Sequence, residues 1–216
     1  MYRVVVVLTA AAICGAAARP AEAQDAPPPI GRFVVDLHGV APRFGDDPAL
    51  ADSRGLTQAE LPGTGLGITA GAHLYFVKFR AVTFGLGGQA MVGRTPILSG
   101  KPDPTLGLRA VTETLKSLLS ELSLNFGNGD GWSYLSAGVG VSRWSIVPDG
   151  AAPLPVDDEG RKTINYGGGA RWFAKKHLAF SLDVRFYEIA AGTAPSTFPA
   201  SPRTKLLVIG AGISVR

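Results

Sequence analysis

Eight stretches of this sequence alternate between apolar and polar or small residues, and the connections between them alternate between long and short. That double rhythm constrains the fold more than any other feature. Period-2 patterning sends successive side chains to opposite faces of a strand. The clearest case runs from Arg161 to Ile189. Ile164, Tyr166, Gly168, Ala170 and Trp172 share one face, and Thr163, Asn165, Gly167, Gly169 and Arg171 share the other. After a polar break at Lys175-Lys176-His177, Phe180, Leu182, Val184 and Phe186 oppose Ser181, Asp183, Arg185 and Tyr187. This reads as a β-hairpin with one apolar, aromatic face and one face of charge beside glycine. The other strands are read at about Arg32–Ala41, Thr64–Phe76, Arg80–Gly93, residue 112 to Phe126, Trp132–Ile146 and Thr204–Arg216. The spacing of Val111, Leu115, Leu118, Leu119 and Leu122 also fits a helical period, so Ala110–Leu118 stays open between strand and short helix.

The long connections cover 43–62, 94–106, 147–160 and 190–203, each broken by proline. The short ones lie at Val77 to Phe79, Gly127 to Gly131 and Lys175 to His177. A sandwich gives no reason for this rhythm. A barrel through a membrane does, because one rim carries turns and the other carries loops. Strands of about ten residues cross a bilayer when tilted, and no stretch after residue 23 holds the roughly 18 apolar residues of a spanning helix. The expected fold is therefore all-β, an eight-stranded antiparallel up-and-down transmembrane β-barrel over residues 32–216. Residues 1–23 read as a signal peptide, with Arg3, the apolar run Val4 to Cys14 and the small-x-small site Ala21-Glu22-Ala23. Residues 24–31 form a proline-rich lead-in. Removing the leader would remove the one cysteine, so no disulfide is needed. The formal net charge of +4 is too small to imply nucleic acid.

An eight-stranded barrel is just wide enough for side chains to fill its interior. The inward charges would be Asp36, Glu121, Arg171, Asp183 and Arg185. Unpaired charge in so narrow a space is costly, so an ion-pair network is expected, with Arg171 in reach of Asp183. His38, His73, Gln89, Asn125 and Asn165 would be its polar neighbours. A three-residue loop at 77–79 puts Tyr75 opposite Ala81, His73 opposite Thr83 and Gly67 opposite Gln89. A four-residue loop at Asn128 to Gly131 puts Asn125 opposite Tyr134 and Glu121 opposite Gly138. A three-residue loop at Lys175 to His177 puts Arg171 opposite Ser181, Asp183 opposite Gly169 and Arg185 opposite Gly167. Outward, Phe33, Phe76, Phe84, Phe126, Tyr166, Trp172, Phe180 and Phe186 suit girdles at the lipid interface.

The leader, the eight alternating strands and the contrast of turns with loops resemble the small outer-membrane β-barrels of the outer-membrane protein A and X type. The resemblance covers essentially all of the chain after the leader. It implies residence in the cell outer membrane, contact with outer-membrane lipids, help from the barrel-insertion machinery and a monomer. The chain departs from it at its last residues, Val215-Arg216, where such barrels carry an aromatic. Some barrels of this kind act on lipid A with a His and Ser pair near the rim. The nearest pair here is His177 with Ser181, and there is no Gly-x-Ser-x-Gly elbow, metal-spaced histidine cluster or phosphate loop. No catalytic residue, metal or cofactor is assigned, and the chain is read as not an enzyme. Three functions follow in order. The first is a filled barrel whose loops serve envelope structure or bind an unidentified surface ligand. The second is a narrow porin-like channel for ions or solutes. The third is a lipid A-modifying enzyme.

Overall fold

The computed structural model describes residues 29–95, 107–195 and 197–216. The leader read at 1–23, the first part of the lead-in and nearly all of the second long connection lie outside the described residues. The strands are β1 (Phe33–Arg43), β2 (Leu66–Phe79), β3 (Val82–Arg94), β4 (Val111–Asn128), β5 (Gly131–Pro148), β6 (Arg161–Lys175), β7 (Leu178–Ile189) and β8 (Thr204–Val215). Each pairs antiparallel with the next, and β8 closes on β1. Closure leaves no edge strand and satisfies the backbone within the ladder, which apolar solvent demands.

Residues 111–118 extend β4, so the segment open between strand and helix is strand. Its helical spacing arises because apolar residues occupy both faces. Leu118 and Leu122 point outward at 69% and 63% exposure, while Val111, Leu115 and Leu119 are buried inside. The same division runs round the barrel. Outward positions such as Leu37, Leu74, Leu86, Val139 and Ile209 are exposed, and the charged residues between them are buried. A water-soluble barrel has the opposite arrangement. An apolar wall around a polar interior is the surface of a transmembrane barrel.

Two hairpins take the expected register. Asn125 faces Tyr134 and Glu121 faces Gly138, with Asn128 and Gly131 also paired. Arg171 faces Ser181, Asp183 faces Gly169 and Arg185 faces Gly167. The β2–β3 hairpin differs. Tyr75 faces Gly85, not Ala81; His73 faces Gly87, not Thr83; Gly67 faces Gly93, not Gln89. The strands continue through Phe79 and Val82, with a bulge between Tyr75 and Val77 and a turn at Arg80-Ala81. Arg80 takes φ 54°, the left-handed region in which only turn-permissive positions sit. The observed register gives both rings space. A Cβ on Gly87 would lie 2.4 Å from His73 Cδ2, and one on Gly85 2.7 Å from Tyr75 Cδ1.

The first long connection is more than an open loop. Asp47 accepts the Ala49 N–H at 2.8 Å and caps the short helix α1 (Pro48–Asp52), with proline at its start. Leu50 and Ala51 are buried together with Phe44, Leu56 and Leu61 in the loop-side mouth of the barrel. They join inward Leu115, Trp144, Ile146, Leu206 and Val208 in one apolar cluster. Phe44 stacks on Trp144 with centroids 6.2 Å apart. The sequence reads 43–62 only as a long connection broken by proline; its apolar residues fill the mouth.

Candidate functional site

The inward charges meet at mid-height. Asp36 on β1 accepts Arg171 Nε at 2.9 Å and Nη2 at 2.6 Å, a bidentate pair. Ser214 Oγ, its ladder neighbour on β8, donates to it at 2.5 Å. Glu121 on β4 accepts Arg185 Nη1 at 2.7 Å and the Asn165 amide at 2.5 Å. Asp183 accepts Arg185 Nε at 2.6 Å and the Tyr134 hydroxyl at 2.5 Å. His73 lies between two acids, with Nε2 3.3 Å from Glu121 and Nδ1 3.8 Å from Asp36.

One expected contact is corrected. Arg171 pairs with Asp36, and Asp183 pairs with Arg185 and Tyr134 rather than with Arg171. The hairpin register makes Arg171 and Asp183 neighbours on one wall. The closed barrel offers Arg171 a carboxylate across the interior, and it stacks its guanidinium 4.1 Å from the Tyr134 ring centroid on the way.

The polar residues divide. Asn165 joins the network through Glu121, and His38 Nε2 lies 2.7 Å from Ser181 Oγ. Gln89 accepts the Tyr187 hydroxyl at 2.8 Å, nearer the loops. Asn125 stands apart near the turns, donating to the Thr83 carbonyl and Ser123 Oγ at 3.0 Å each. Of the aromatics, Phe33, Phe76, Phe126 and Trp172 are exposed on the turn side of the outer wall. Tyr166 and Phe186 pair at 5.6 Å nearer the loops, under the Lys205 ammonium.

Below the network, Trp132 and Tyr134 pack with Val34, flanked by Tyr75 and Phe173. Above it lies the apolar cluster and its loops. There Arg54 Nη2 is 3.1 Å from Asp157 Oδ1, both side chains buried, joining the first long connection to the third. Arg109 Nε donates to Glu60 at 2.8 Å, and Thr193 Oγ1 to Glu159 at 2.5 Å. Arg109 is the main cause that pulls the Glu60 carboxyl down to about 2. Sequence reasoning missed this layer. It also missed Glu113, buried inside β4 with both carboxyl oxygens unpartnered among the described residues. Its inward register was hidden by the segment's helical spacing.

The arrangement has limited chemistry. Arg171 and Arg185 are 1% and 2% exposed, so the charged layer has little contact with water. His177 and Ser181 are separated: His177 Nδ1 sits 3.0 Å from the Arg216 carbonyl on the turn rim, while Ser181 points inward to His38. The His38–Ser181 pair is itself buried, closed to a substrate.

No protein-family model matches this chain. No curated protein matches it in sequence. Among solved structures it is similar to Neisserial surface protein A, with TM-score 0.52 and 11% identity over 86% of this chain and 97% of that one. It is also similar to Ail, the attachment invasion locus protein of Yersinia pestis, with TM-score 0.50 and 13% identity over 86% and 99%. Both are eight-stranded outer-membrane barrels, and at such identities the likeness is one of fold.

Proposed function

We propose that this protein is an integral barrel of the cell outer membrane, exported by a cleaved leader, that works without catalysis. Its interior is a plug, and its joined loops face outward for envelope structure or contact with a surface ligand. The observation that carries this reading is the inversion of the barrel. Its wall is apolar, while Asp36, Glu121, Arg171, Asp183 and Arg185 inside it satisfy one another with side-chain donors at 2.6 to 2.9 Å. An eight-stranded barrel filled in this way leaves no open lumen to conduct through.

Three measurements test it. Fractionation should recover the protein with outer membranes, in a form whose gel mobility changes on heating; a soluble periplasmic protein would sink the membrane reading. Planar bilayers holding the purified barrel should stay silent. Stepwise conductance would replace the plug with the narrow channel. Lipid A from expressing cells should keep its mass, and a shifted mass would restore the enzyme.

A further inference from the structure

The loop-side edge of the apolar wall is basic. The outward residue that follows the apolar band is Arg43 on β1, Arg94 on β3, Lys116 on β4, Arg143 on β5, Lys162 on β6 and Lys205 on β8. These cations are not alike. Lys205 lies 3.7 Å from Glu188 and covers the Tyr166 and Phe186 rings. Lys116 and Arg143 lie directly opposite each other in the β4–β5 ladder, both exposed on the same face. Neither has an acidic partner within 4.0 Å among the described residues. Like charges in that position repel each other, so the pair is destabilising unless an anion sits between them.

Beneath the two cations the outer wall is grooved. A hollow of about 390 Å³ runs below Lys116 and Arg143, walled by Ala90, Val92, Leu118 and Val141. Ala90 makes the notch, being a methyl among longer side chains. In register, Leu118 stands beside Ala90 on one side and Val141 on the other. The site thus joins an apolar trough to a pair of cations that have no acidic partner among the described residues. That pairing matches one kind of molecule, an acylated lipid whose headgroup carries phosphate. A trough alone would suit any lipid, and two cations alone would suit any soluble anion.

We propose that Lys116 and Arg143 clamp a phosphate of an acylated, phosphorylated lipid in the outer leaflet, with one acyl chain in the groove below. Arg143 supplies the planar fork that suits phosphate oxygens, and Lys116 a point charge from the neighbouring strand. Lys162, which pairs with Val141 on the next strand, extends the basic surface sideways. The site rests on the outer-membrane reading, because it needs the wall to face lipid.

The test is native mass spectrometry of the purified barrel, titrated with bisphosphorylated lipid A, with the same lipid after phosphatase treatment, and with free pyrophosphate. Heat-modifiable mobility in phosphatidylcholine vesicles is measured alongside. Wild-type barrel should bind the phosphorylated lipid at one saturable site. The K116Q/R143Q variant should bind it about tenfold more weakly, the loss expected for two charge-assisted contacts. Dephosphorylated lipid should bind wild type as weakly, with no further loss in K116Q/R143Q. A K175Q/K176Q control on the turn rim should behave as wild type. Equal binding of both lipids by wild type overturns the clamp even where the variant fails to fold, as does equal binding by a folded K116Q/R143Q. Pyrophosphate displacing the lipid at equal concentration would make it a soluble-anion site instead. Failure to enter phosphatidylcholine vesicles would remove the membrane reading itself, a result distinct from entering them and binding both lipids alike.

Discussion

The middle of the barrel interior and its loop-side mouth fill the same narrow space by opposite means. At mid-height, space is filled with charge, and each carboxylate of Asp36, Glu121 and Asp183 receives at least two donors. On the loop side, Leu50, Leu56 and Leu61 descend from a connection and pack on inward Leu115, Trp144 and Leu206. The charged middle is built wholly from strands. The apolar mouth needs a loop to come home. The difference teaches that burial inside a barrel is not one kind of stabilisation. Paired charges add little net stability over apolar residues of the same shape, yet removing one partner is severe. Apolar filling contributes in proportion to what is buried and fails by degrees.

The sharpest way to break this comparison is Arg171→Met. It leaves Asp36 buried and short of its bidentate partner, and should cost about 3 to 5 kcal/mol, read as a lower urea midpoint for the barrel in lipid vesicles. Changing both partners, as Arg171→Met with Asp36→Leu, should recover most of that loss. A harmless single variant would show that the network is wet and loosely held. Next comes Leu50→Ala, expected to cost about 2 to 4 kcal/mol from lost contact and the remaining void. The cost should appear as faster protease cleavage within 44–65 and not as a shifted barrel midpoint. A shifted midpoint would mean that the mouth filling and the wall unfold together, and the contrast would fail.

The smallest effect concerns Glu60. Arg109, itself half exposed, holds the Glu60 carboxyl down from its ordinary 4.5 to about 2. A carboxyl lowered in the folded state favours that state above its unfolded value and loses the advantage as pH falls through the folded one. The tie should be whole above pH 4.5 and gone near pH 2, and worth under about 1 kcal/mol because the arginine is solvated. Loop proteolysis should therefore rise across that window in wild type and stay flat in Glu60→Gln, which starts with the looser loop.

What could be read in the sequence follows from what is local. Alternation in 164–172 and 180–186 assigns each residue to a face without knowledge of the fold, and the rhythm of connections closes those faces into a barrel. The same alternation placed Asp36, Glu121, Arg171, Asp183 and Arg185 inside. Their partners were not legible, since the Arg171–Asp36 contact crosses the interior and depends on how far the strands are staggered on closure. The β2–β3 register was hidden by the bulge near Tyr75 and by a turn whose left-handed residue is Arg80, not glycine. The apolar filling of the mouth was hidden because Leu50, Leu56 and Leu61 stand singly among prolines and acids, in no period that marks a face.

The seam between β1 and β8 sets an order of events. Hairpins such as β4–β5 join neighbours in the chain and close at small entropic cost, whereas Asp36 meets Ser214 across 178 positions and Arg171 across 135. Contacts that span so much chain form late. Until the seam zips, the guanidinium of Arg171 has no bidentate partner and Asp36 is an acid on an open edge. The last pairing to form is thus the one that joins them, so within lipid, where an unpaired charge is costly, an unclosed sheet carries an electrostatic penalty that a closed one sheds.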